Sequence, residues 1–513
     1  MRRTVAAVAV ALTLATTGTA TSPSYAEDDL EIRSPAAAPP EQAEPVPAPA
    51  QVLRQAVAAL EGEVAGVRRP DATLALRDLF ASLPRLSATG RSEARQILAR
   101  PTNNSGPGGE IKYTTRSVKR CGPNVCVHRV NRTRHAASKT WARKSLRVLG
   151  SVWRKEVGQM GYRRPVRDGR RGGNGKFDVY LADVGANGLF GYCAPEFTRP
   201  GFRRLASGYC VLDNDFARTQ FGAKPADSLR VTAAHEFFHA VQFAYDYLED
   251  PWLMEASATW IEERYADGVN DNRRYLPAGQ LVRTHLALDR FEAAIQYGNW
   301  VFFEYLSKRF GAKIVKRIWT QSGHFRGDGR TYSTNAVKRA LPRKAPFKQV
   351  FSQFSAANIT PARSYPEGRF WPRPRVAGSV ALGRGGRASD TSLIDHMSTQ
   401  DVVVTPRRSL DKRKYKLRVG IDGPARTSSP MATLVWQQRS GTVKKVPVQL
   451  DRRGQGSRVV PFNRRQTRRV WIVVSNASTR FDCRGSDVTY SCSGTPRDDG
   501  RAFTVSLRVI TRR

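Results

Sequence analysis

Three regions of the chain differ in how hydrophobic and polar positions alternate. In the first, from Val52 to about Leu98, apolar residues recur at helical spacing, which predicts a small helical unit. The periodic positions are Leu53, Val57, Leu60 and Val64, then Leu74, Leu76, Leu79, Leu83 and Leu86. The segment RPTNNSGPGGE, rich in Pro, Gly and Asn, ends this unit at about residue 110.

Strands and helices mix in the second region, from about Ile111 to about Pro374. The runs KFDVYLAD (176–183) and GYCVLDND (208–215) are short, alternating and rich in β-branched or aromatic residues, so both are predicted strands. Apolar spacing predicts three helices, which cover residues 227–247, 255–265 and 297–310.

Beyond about Arg375 the pattern becomes a series of short alternating runs separated by turn-forming residues. The runs are VVVT (402–405), YKLRVGI (415–421), ATLVWQ (432–437), RRVWIVVS (468–475) and AFTVSLRVI (502–510). In the last run the apolar and polar residues alternate, as a half-buried antiparallel strand requires. We therefore expect an all-β C-terminal domain of the sandwich type and an α+β protein overall.

The first 51 residues show neither the helical spacing nor the strand alternation of apolar positions. Two arginines, a short apolar run and small residues up to Ala26 are typical of an export signal over residues 1–26. Arg2 and Arg3 leave a twin-arginine signal as the alternative to the ordinary secretory route. Residues 27 to about 51, rich in Pro, Ala and Glu, predict a disordered spacer. The helical unit that follows is either a propeptide or an N-terminal subdomain.

The composition of the chain indicates the compartment of the protein and its net charge. No segment after the signal approaches the roughly 20 apolar residues of a transmembrane helix, so we expect a secreted protein without one. The six cysteines form three neighbouring pairs in sequence, which favours local disulfides over a zinc cluster. The pairs are Cys121 with Cys126, Cys193 with Cys210, and Cys483 with Cys492.

The formal net charge of +40 is extreme for a chain of 513 residues. An anionic cell-wall polymer is one candidate partner, and a merely solvated basic surface is the simpler interpretation. No RNA-binding aromatic signature or helix-turn-helix pattern accompanies the basic residues, so a specific nucleic-acid partner is not expected.

The segment TAAHEFFHAVQFAYD carries the candidate chemistry. On a helix, His235 and His239 leave the same face one turn apart and can hold one zinc ion. Glu236 then lies where its carboxylate can act as general base on a water at the metal. A core helix with hydrogen-bonded histidines is the alternative.

A third zinc ligand is needed, and two candidates compete. Asp246 lies about 16 Å further along the helix axis than His235, too far to share an ion. The metzincin pattern requires a glycine where the chain has Gln242 and a His or Asp where it has Tyr245. Pro251 interrupts the helix, and a second helix that runs back can aim Glu255 at both histidines.

The motif HEFFH, followed after fifteen residues by Glu255 within WLMEA, resembles the gluzincin pattern of thermolysin-like and aminopeptidase N-like enzymes. The longer string also resembles a group of secreted bacterial metallopeptidases, over roughly residues 175–310. The resemblance implies a zincin-like catalytic domain and a zinc peptidase. Thr259 stands where thermolysin-like enzymes have an aspartate that orients a zinc-bound histidine. No GAMEN-like segment is present, which favours an endopeptidase.

Two further sets of residues are candidates. The segment QYGNWVF loosely resembles the one in which aminopeptidase N-like enzymes carry a tyrosine that stabilises the oxyanion, which makes Tyr297 the candidate donor and His285 its rival. Four aspartates that flank the predicted strands could bind calcium, although aspartates at turns more often only form the turn. They are Asp178, Asp183, Asp213 and Asp215.

The sequence thus predicts four segments and one main function. The segments are a signal peptide (1–26), a spacer with a helical propeptide or subdomain (27–110), a zincin-like metallopeptidase domain (111–375) and a β-sandwich domain (376–513). The function is hydrolysis of peptide bonds, with Zn²⁺ as cofactor and peptides or proteins as substrates. The alternatives are an exported basic wall- or polymer-binding protein with a weak or inactive zincin site, and an extracellular nuclease.

Overall fold

The computed structural model describes residues 49–62, 72–103, 111–483 and 489–511. The predicted signal peptide and most of the predicted spacer lie outside these residues. The described chain is a mixed α+β protein with several sheets, which confirms the fold class at that level.

Three helices form the N-terminal unit and follow the predicted apolar spacing: α1 (Pro49–Leu60), α2 (Thr73–Ser82) and α3 (Ala88–Ile97). Their apolar residues, such as Leu76 and Leu79, are fully buried. They pack against Tyr180, Tyr192 and Tyr209 on one face of the first sheet. The helical unit therefore contributes to the same packed core as that sheet.

The first sheet has five strands in the order β1-β2-β3-β5-β4. Its strands are β1 (Val118–Cys121), β2 (Val125–Arg129), β3 (Phe177–Ala182), β4 (Gly191–Thr198) and β5 (Ala206–Asp213). The pairs β2/β3 and β3/β5 are parallel, whereas β1/β2 and β4/β5 are antiparallel. Only β3 and β5 were predicted from the sequence.

Ten helices make up the rest of the middle region. They are α4 (Lys139–Trp153), α5 (Arg218–Phe221), α6 (Pro225–Asp246), α7 (Pro251–Ala266), α8 (Ile295–Gly298), α9 (Trp300–Phe310), α10 (Lys313–Ser322), α11 (Thr334–Ala340), α12 (Phe347–Asn358) and α13 (Pro361–Ser364). The three predicted helices correspond to α6, to α7, and to α8 with α9. Helix α4 continues into a π-helical turn over Arg154–Gln159.

Helices α6 and α7 are buried on almost every side, so both are enclosed by the rest of the protein. Both have proline in their first turn, where the missing N–H is not needed. Helix α6 packs on the second face of the first sheet, so that Val179 and Leu181 of β3 meet Phe237. The sheet is thus enclosed between α1–α3 and α6.

The described part of the C-terminal region contains eleven strands. They are β6 (Gly378–Leu382), β7 (Arg387–Ile394), β8 (Ser398–Pro406), β9 (Tyr415–Asp422), β10 (Pro430–Gln438), β11 (Val443–Val448), β12 (Gln455–Pro461), β13 (Thr467–Asn476), β14 (Phe481–Asp482), β15 (Thr495–Pro496) and β16 (Arg501–Thr511). One sheet has the order β11-β10-β13-β8-β6, and a second has the order β12-β9-β16-β7. Alternate residues of both sheets share one apolar core, as in Leu417, Leu434, Ile472 and Phe503.

The outer face of the β10/β13 sheet is covered by the middle region. Ala356 and Ile359, at the end of α12, pack with Val435, Trp471 and Val473 in a separate apolar cluster. The backbone N–H of Leu288 donates to the Met397 carbonyl across the same junction (3.0 Å). The two regions therefore meet through apolar packing as well as through backbone hydrogen bonds.

The three predicted disulfides are confirmed: Cys121–Cys126, Cys193–Cys210 and Cys483–Cys492. The first two join residues that face each other across antiparallel pairs of the first sheet. Within the residues that the structure describes, no helix is both long and apolar enough to cross a lipid bilayer.

Candidate metal centre

Helix α6 presents His235 and His239 to one point. Because they are four residues apart, their rings lie one above the other, with centroids 4.8 Å apart. Glu255 of α7 lies opposite, with Oε2 3.2 Å from His235 Nε2 and Oε1 3.5 Å from His239 Nε2. Ligand atoms from the three residues all lie within 4.8 Å of one another, and all three residues are buried.

The chain delivers Glu255 by reversing direction. Asp246 ends α6, Pro251 begins α7, and Glu255 follows one turn later. Gln242 bridges the two helices, because its Nε2 donates to the Met254 carbonyl (2.9 Å). The arrangement is the one that the sequence predicted for the third ligand.

The outer nitrogen of each histidine ring has its own acceptor. His235 Nδ1 lies 2.8 Å from Glu262 Oε1, and His239 Nδ1 lies 2.7 Å from Gln242 Oε1. Since the Gln242 amide donates its N–H to Met254, its oxygen must accept from His239. Nδ1 of His239 therefore carries a proton, and Nε2 is the ring nitrogen that faces Glu255. Such outer contacts orient metal-binding histidines in proteins.

The residues fit a zinc ion on two grounds. Two imidazole nitrogens and one carboxylate form a donor set that zinc uses at catalytic sites. Among the described residues, the buried Glu255 Oε1 also has no hydrogen-bond partner. A buried carboxylate oxygen without a donor is costly unless a cation or proton approaches it.

Glu236 lies beside the histidines and is 3% exposed. Thr73, the first residue of α2, donates from Oγ1 to Glu236 Oε2 (3.2 Å). The same hydroxyl oxygen accepts from the Cys193 backbone N–H (2.9 Å). A Cβ on Gly191 would lie only 3.1 Å from Glu236 Cγ, so this position on β4 must stay small. The N-terminal helical unit thus contacts the candidate general base directly.

A cavity of about 40 Å³ opens next to His235 and Glu236. It is lined by Phe190, Gly191, Val231, Thr232, His235, Glu236, Glu262, Asp271, Arg274, Tyr275 and Tyr297. This volume is sufficient for a water molecule or an ion beside the two residues.

Tyr297 forms part of the lining of this cavity. Its ring centroid is 6.3 Å from the ring of His235, and it stacks on Tyr275 at 5.1 Å. Arg274 lies over Tyr275 with its guanidinium carbon 4.8 Å from the ring centroid. The structure therefore brings Tyr297 to the candidate site, as the sequence predicted.

Other candidates lie elsewhere. His285 is not part of the cavity lining, and much of its side chain is exposed. The partial burial of its ring lowers its pKa, and the charges of Arg283 and Arg375 lower it further. Asp246 does not approach the histidines and instead pairs with Arg204 (2.6 Å). The hydroxyl of Thr259 donates to the Glu255 carbonyl (2.9 Å). The carboxylate that contacts His235 Nδ1 is that of Glu262 (2.8 Å), which lies on the same helix as Thr259.

The four aspartates considered for calcium each have another partner. Asp178 pairs with Arg100 (2.5 Å), and Asp213 accepts backbone N–H groups of its own turn. Asp183 and Asp215 accept from Ala186 and Ala217 in the same way. Among the described residues, no group of three potential metal ligands includes any of these aspartates. Calcium binding by these residues stays a prediction.

Glu262, Gln242 and Thr73 contact the candidate site residues but were not predicted from the sequence. Glu262 follows Glu255 by seven residues, which is two helical turns, and Gln242 follows His239 by three. Helical spacing alone could have suggested both. Burial raises the pKa of Glu262, while the hydrogen bond and charge of His235 act in the opposite direction.

Another buried carboxyl, Glu156 of the π-helical turn, interacts electrostatically with His235. Burial raises its pKa well above the usual value, and His235 lowers it only in part. Nothing in the sequence around Glu156 indicated this position.

No protein-family model matches the chain, and no curated protein matches it in sequence. Among solved structures, the chain matches the pre-peptidase C-terminal domain of a collagenase from Bacillus anthracis at 10% identity and a TM-score of 0.16. That match covers 27% of this chain and 99% of the domain. A GH115 4-O-methyl-α-glucuronidase with specificity for decorated arabinogalactans matches at 8% identity and a TM-score of 0.14, over 69% of this chain and 54% of the enzyme. Neither likeness is close enough to support an argument about function.

Proposed function

We propose that this chain is a secreted zinc-dependent endopeptidase with a zincin-like catalytic region of the gluzincin type. One observation supports the proposal most strongly: His235, His239 and Glu255 converge from two helices with Glu236 beside them. Nδ1 of each histidine contacts an oxygen acceptor, so Nε2 is the nitrogen of each ring that would bind the metal.

His235, His239 and Glu255 would hold the ion. Zinc in such a site supplies a Lewis acid that polarises a peptide carbonyl and lowers the pKa of water. The Glu236 carboxylate accepts the proton of the attacking water and then passes it to the nitrogen of the leaving amine. The Tyr297 hydroxyl donates to the oxygen that gains negative charge. Thr73 donates to one oxygen of Glu236 and so helps to position this carboxylate.

The three disulfides agree with an oxidising, extracellular compartment. The substrates we propose are peptides or proteins. The contact between Glu262 and His235 supplies the orientation that Thr259 does not. A threonine at 259, where thermolysin-like enzymes have an aspartate, is therefore compatible with an active site.

The first prediction tests the reaction with Glu236→Gln. This change removes the proton acceptor and keeps the shape of the side chain, so zinc content should remain near one ion per chain. Casein hydrolysis should fall at least about 100-fold. Elemental analysis after dialysis and release of soluble peptides measure the two quantities.

Asp227→Asn is the matched control, since it makes the same chemical change in the first turn of the same helix. It should hydrolyse casein like the parent protein. Equal hydrolysis by Glu236→Gln and the parent would refute the mechanism. Stoichiometric zinc in a parent protein without any hydrolysis would favour the alternative function, a polymer-binding protein with an inactive site.

A further inference from the structure

Five arginines line one open cleft of about 650 Å³ in the C-terminal region. The cleft is lined by Thr405, Pro406, Arg407, Arg408, Ser409, Arg439, Arg464 and Arg468. Arg407 and Arg408 follow β8, Arg439 follows β10, and Arg464 and Arg468 flank the start of β13. Because β13 pairs antiparallel with both β8 and β10, these positions meet at one end of the sheet.

The charge of this cleft is not neutralised within the protein. All five arginines are exposed, and none of them forms an ion pair with a carboxylate among the described residues. Two are held in place through Nε, which donates from Arg439 to the Arg464 carbonyl (3.0 Å) and from Arg407 to the Ala381 carbonyl (3.0 Å). Their terminal nitrogens remain available for an anion.

The lining indicates the chemistry of the ligand. Guanidinium groups bind phosphate oxygens in pairs, and five of them around one cleft suit a densely charged chain. An acidic polysaccharide whose only charge is one carboxylate per sugar ring offers fewer charges over the same length. The lining has no aromatic side chain on which a nucleobase could stack. It also has no large apolar side chain that could enter a membrane.

We propose that this arginine cleft binds a linear polymer of phosphate groups that lacks nucleobases. The proposal stands apart from the peptidase function, because the cleft contains none of the residues of the metal centre. The proposal assigns part of the net charge of +40 to one surface and to one class of ligand.

The test uses the full chain and linear inorganic polyphosphate as the probe, with binding measured by calorimetry at several salt concentrations. The cleft variant is Arg439→Gln/Arg464→Gln/Arg468→Gln. The control variant is Arg116→Gln/Arg143→Gln/Arg339→Gln, which removes the same charge from exposed positions outside the C-terminal region. Thermal unfolding checks that both variants fold, and Arg407→Gln/Arg408→Gln serves as a second cleft variant.

We expect the cleft variant to bind polyphosphate about 100-fold more weakly than the parent. The slope of log affinity against log salt should fall in magnitude by about 2, since three phosphate contacts are lost. The control should change affinity less than threefold. Zinc content and casein hydrolysis should be the same in all variants.

Two outcomes would overturn the proposal. If the control weakens binding as much as the cleft variants, the partner is attracted by the general charge of the surface and not by the cleft. If single-stranded DNA, heparin or vesicles of anionic phospholipid bind the parent more tightly than polyphosphate at equal charge, the class of ligand is wrong.

Discussion

At the scale of single residues, hydrogen bonds decide which atoms can act. Gln242 is held by the Met254 carbonyl, so only its oxygen can face His239, and this fixes the ring tautomer. Thr73 has a similar role at Glu236, because its oxygen accepts from Cys193 while its proton is directed to the carboxylate. The position of the candidate general base thus depends on a residue from the first helical unit.

Thr73→Val provides a prediction for this contact. Valine keeps the volume and removes the hydroxyl, so Glu236 loses one of its positional restraints. We expect casein hydrolysis to fall about 10-fold through kcat, with KM and zinc content unchanged. Thr73→Ser restores the hydroxyl and should recover most of the rate. Full activity of the valine variant would show that the contact has no positioning role.

The sequence revealed the residues of the site that are close together in the chain. His235, His239 and Glu255 lie on two consecutive helices, and their spacing predicts their convergence. Thr73 is 163 positions away from Glu236, and only packing of α2 on the first sheet brings the two together. No local pattern contains that information.

At the scale of elements, the first sheet shows why some strands were not predicted. Strand β4 is buried over most of its length but contains Pro195 and begins at Gly191, which are both unfavourable in a typical strand. The hairpin of β1 and β2 has an exposed first strand with no alternation. In contrast, β16 alternates regularly because one of its faces meets the core and the other meets solvent.

The disulfide between β4 and β5 gives a prediction at this scale. Its sulfur atoms lie 2.8 and 3.5 Å from the Glu236 carbonyl oxygen, so it joins the sheet directly behind α6. Replacing Cys193 and Cys210 by serine should lower the free energy of unfolding by about 3 kcal/mol, as measured by urea denaturation.

The Cys121–Cys126 disulfide is the control, because it joins residues only 5 positions apart, whereas Cys193 and Cys210 are 17 positions apart. Since the stabilisation grows with loop length, its removal should cost less. A larger loss from the Cys121–Cys126 variant would contradict this account.

At the scale of the whole molecule, His396 links the C-terminal strands to the middle region. Its Nε2 lies 2.9 Å from Asp289 Oδ1, and its Nδ1 lies 2.5 Å from Asp499 Oδ1. Burial alone would lower the pKa of His396, but the two carboxylates outweigh it and raise the pKa to about 10. The junction between the regions therefore contains a buried charged group.

This junction predicts a dependence of stability on pH. Because the pKa of His396 is higher in the folded than in the unfolded chain, its contribution is complete below pH 6.5 and is lost as pH rises towards 10. The free energy of unfolding should fall by roughly 5 kcal/mol over that window. Urea denaturation at several pH values measures it.

The variant His396→Gln should be less stable than the parent at pH 6.5. Most of the fall in the free energy of unfolding between pH 6.5 and 10 should disappear in this variant. His285→Gln changes an exposed histidine whose pKa is lowered, so it should keep the decline of the parent. If the free energy of unfolding of His396→Gln falls with pH as it does in the parent, the charge of His396 does not control the stability of the junction. The sequence could not indicate this role, since Asp289 and His396 are 107 positions apart.

Arg100, just after α3, connects the N-terminal helices to the first sheet. Its guanidinium group lies within 2.7 Å of carboxylates of Asp168, Asp178 and Glu196. Removing the helices would leave these carboxylates without their cation and would expose the tyrosine face of the sheet. A processing protease that cut between α3 and β1 would therefore yield a nicked protein, whose two pieces stay associated until it unfolds.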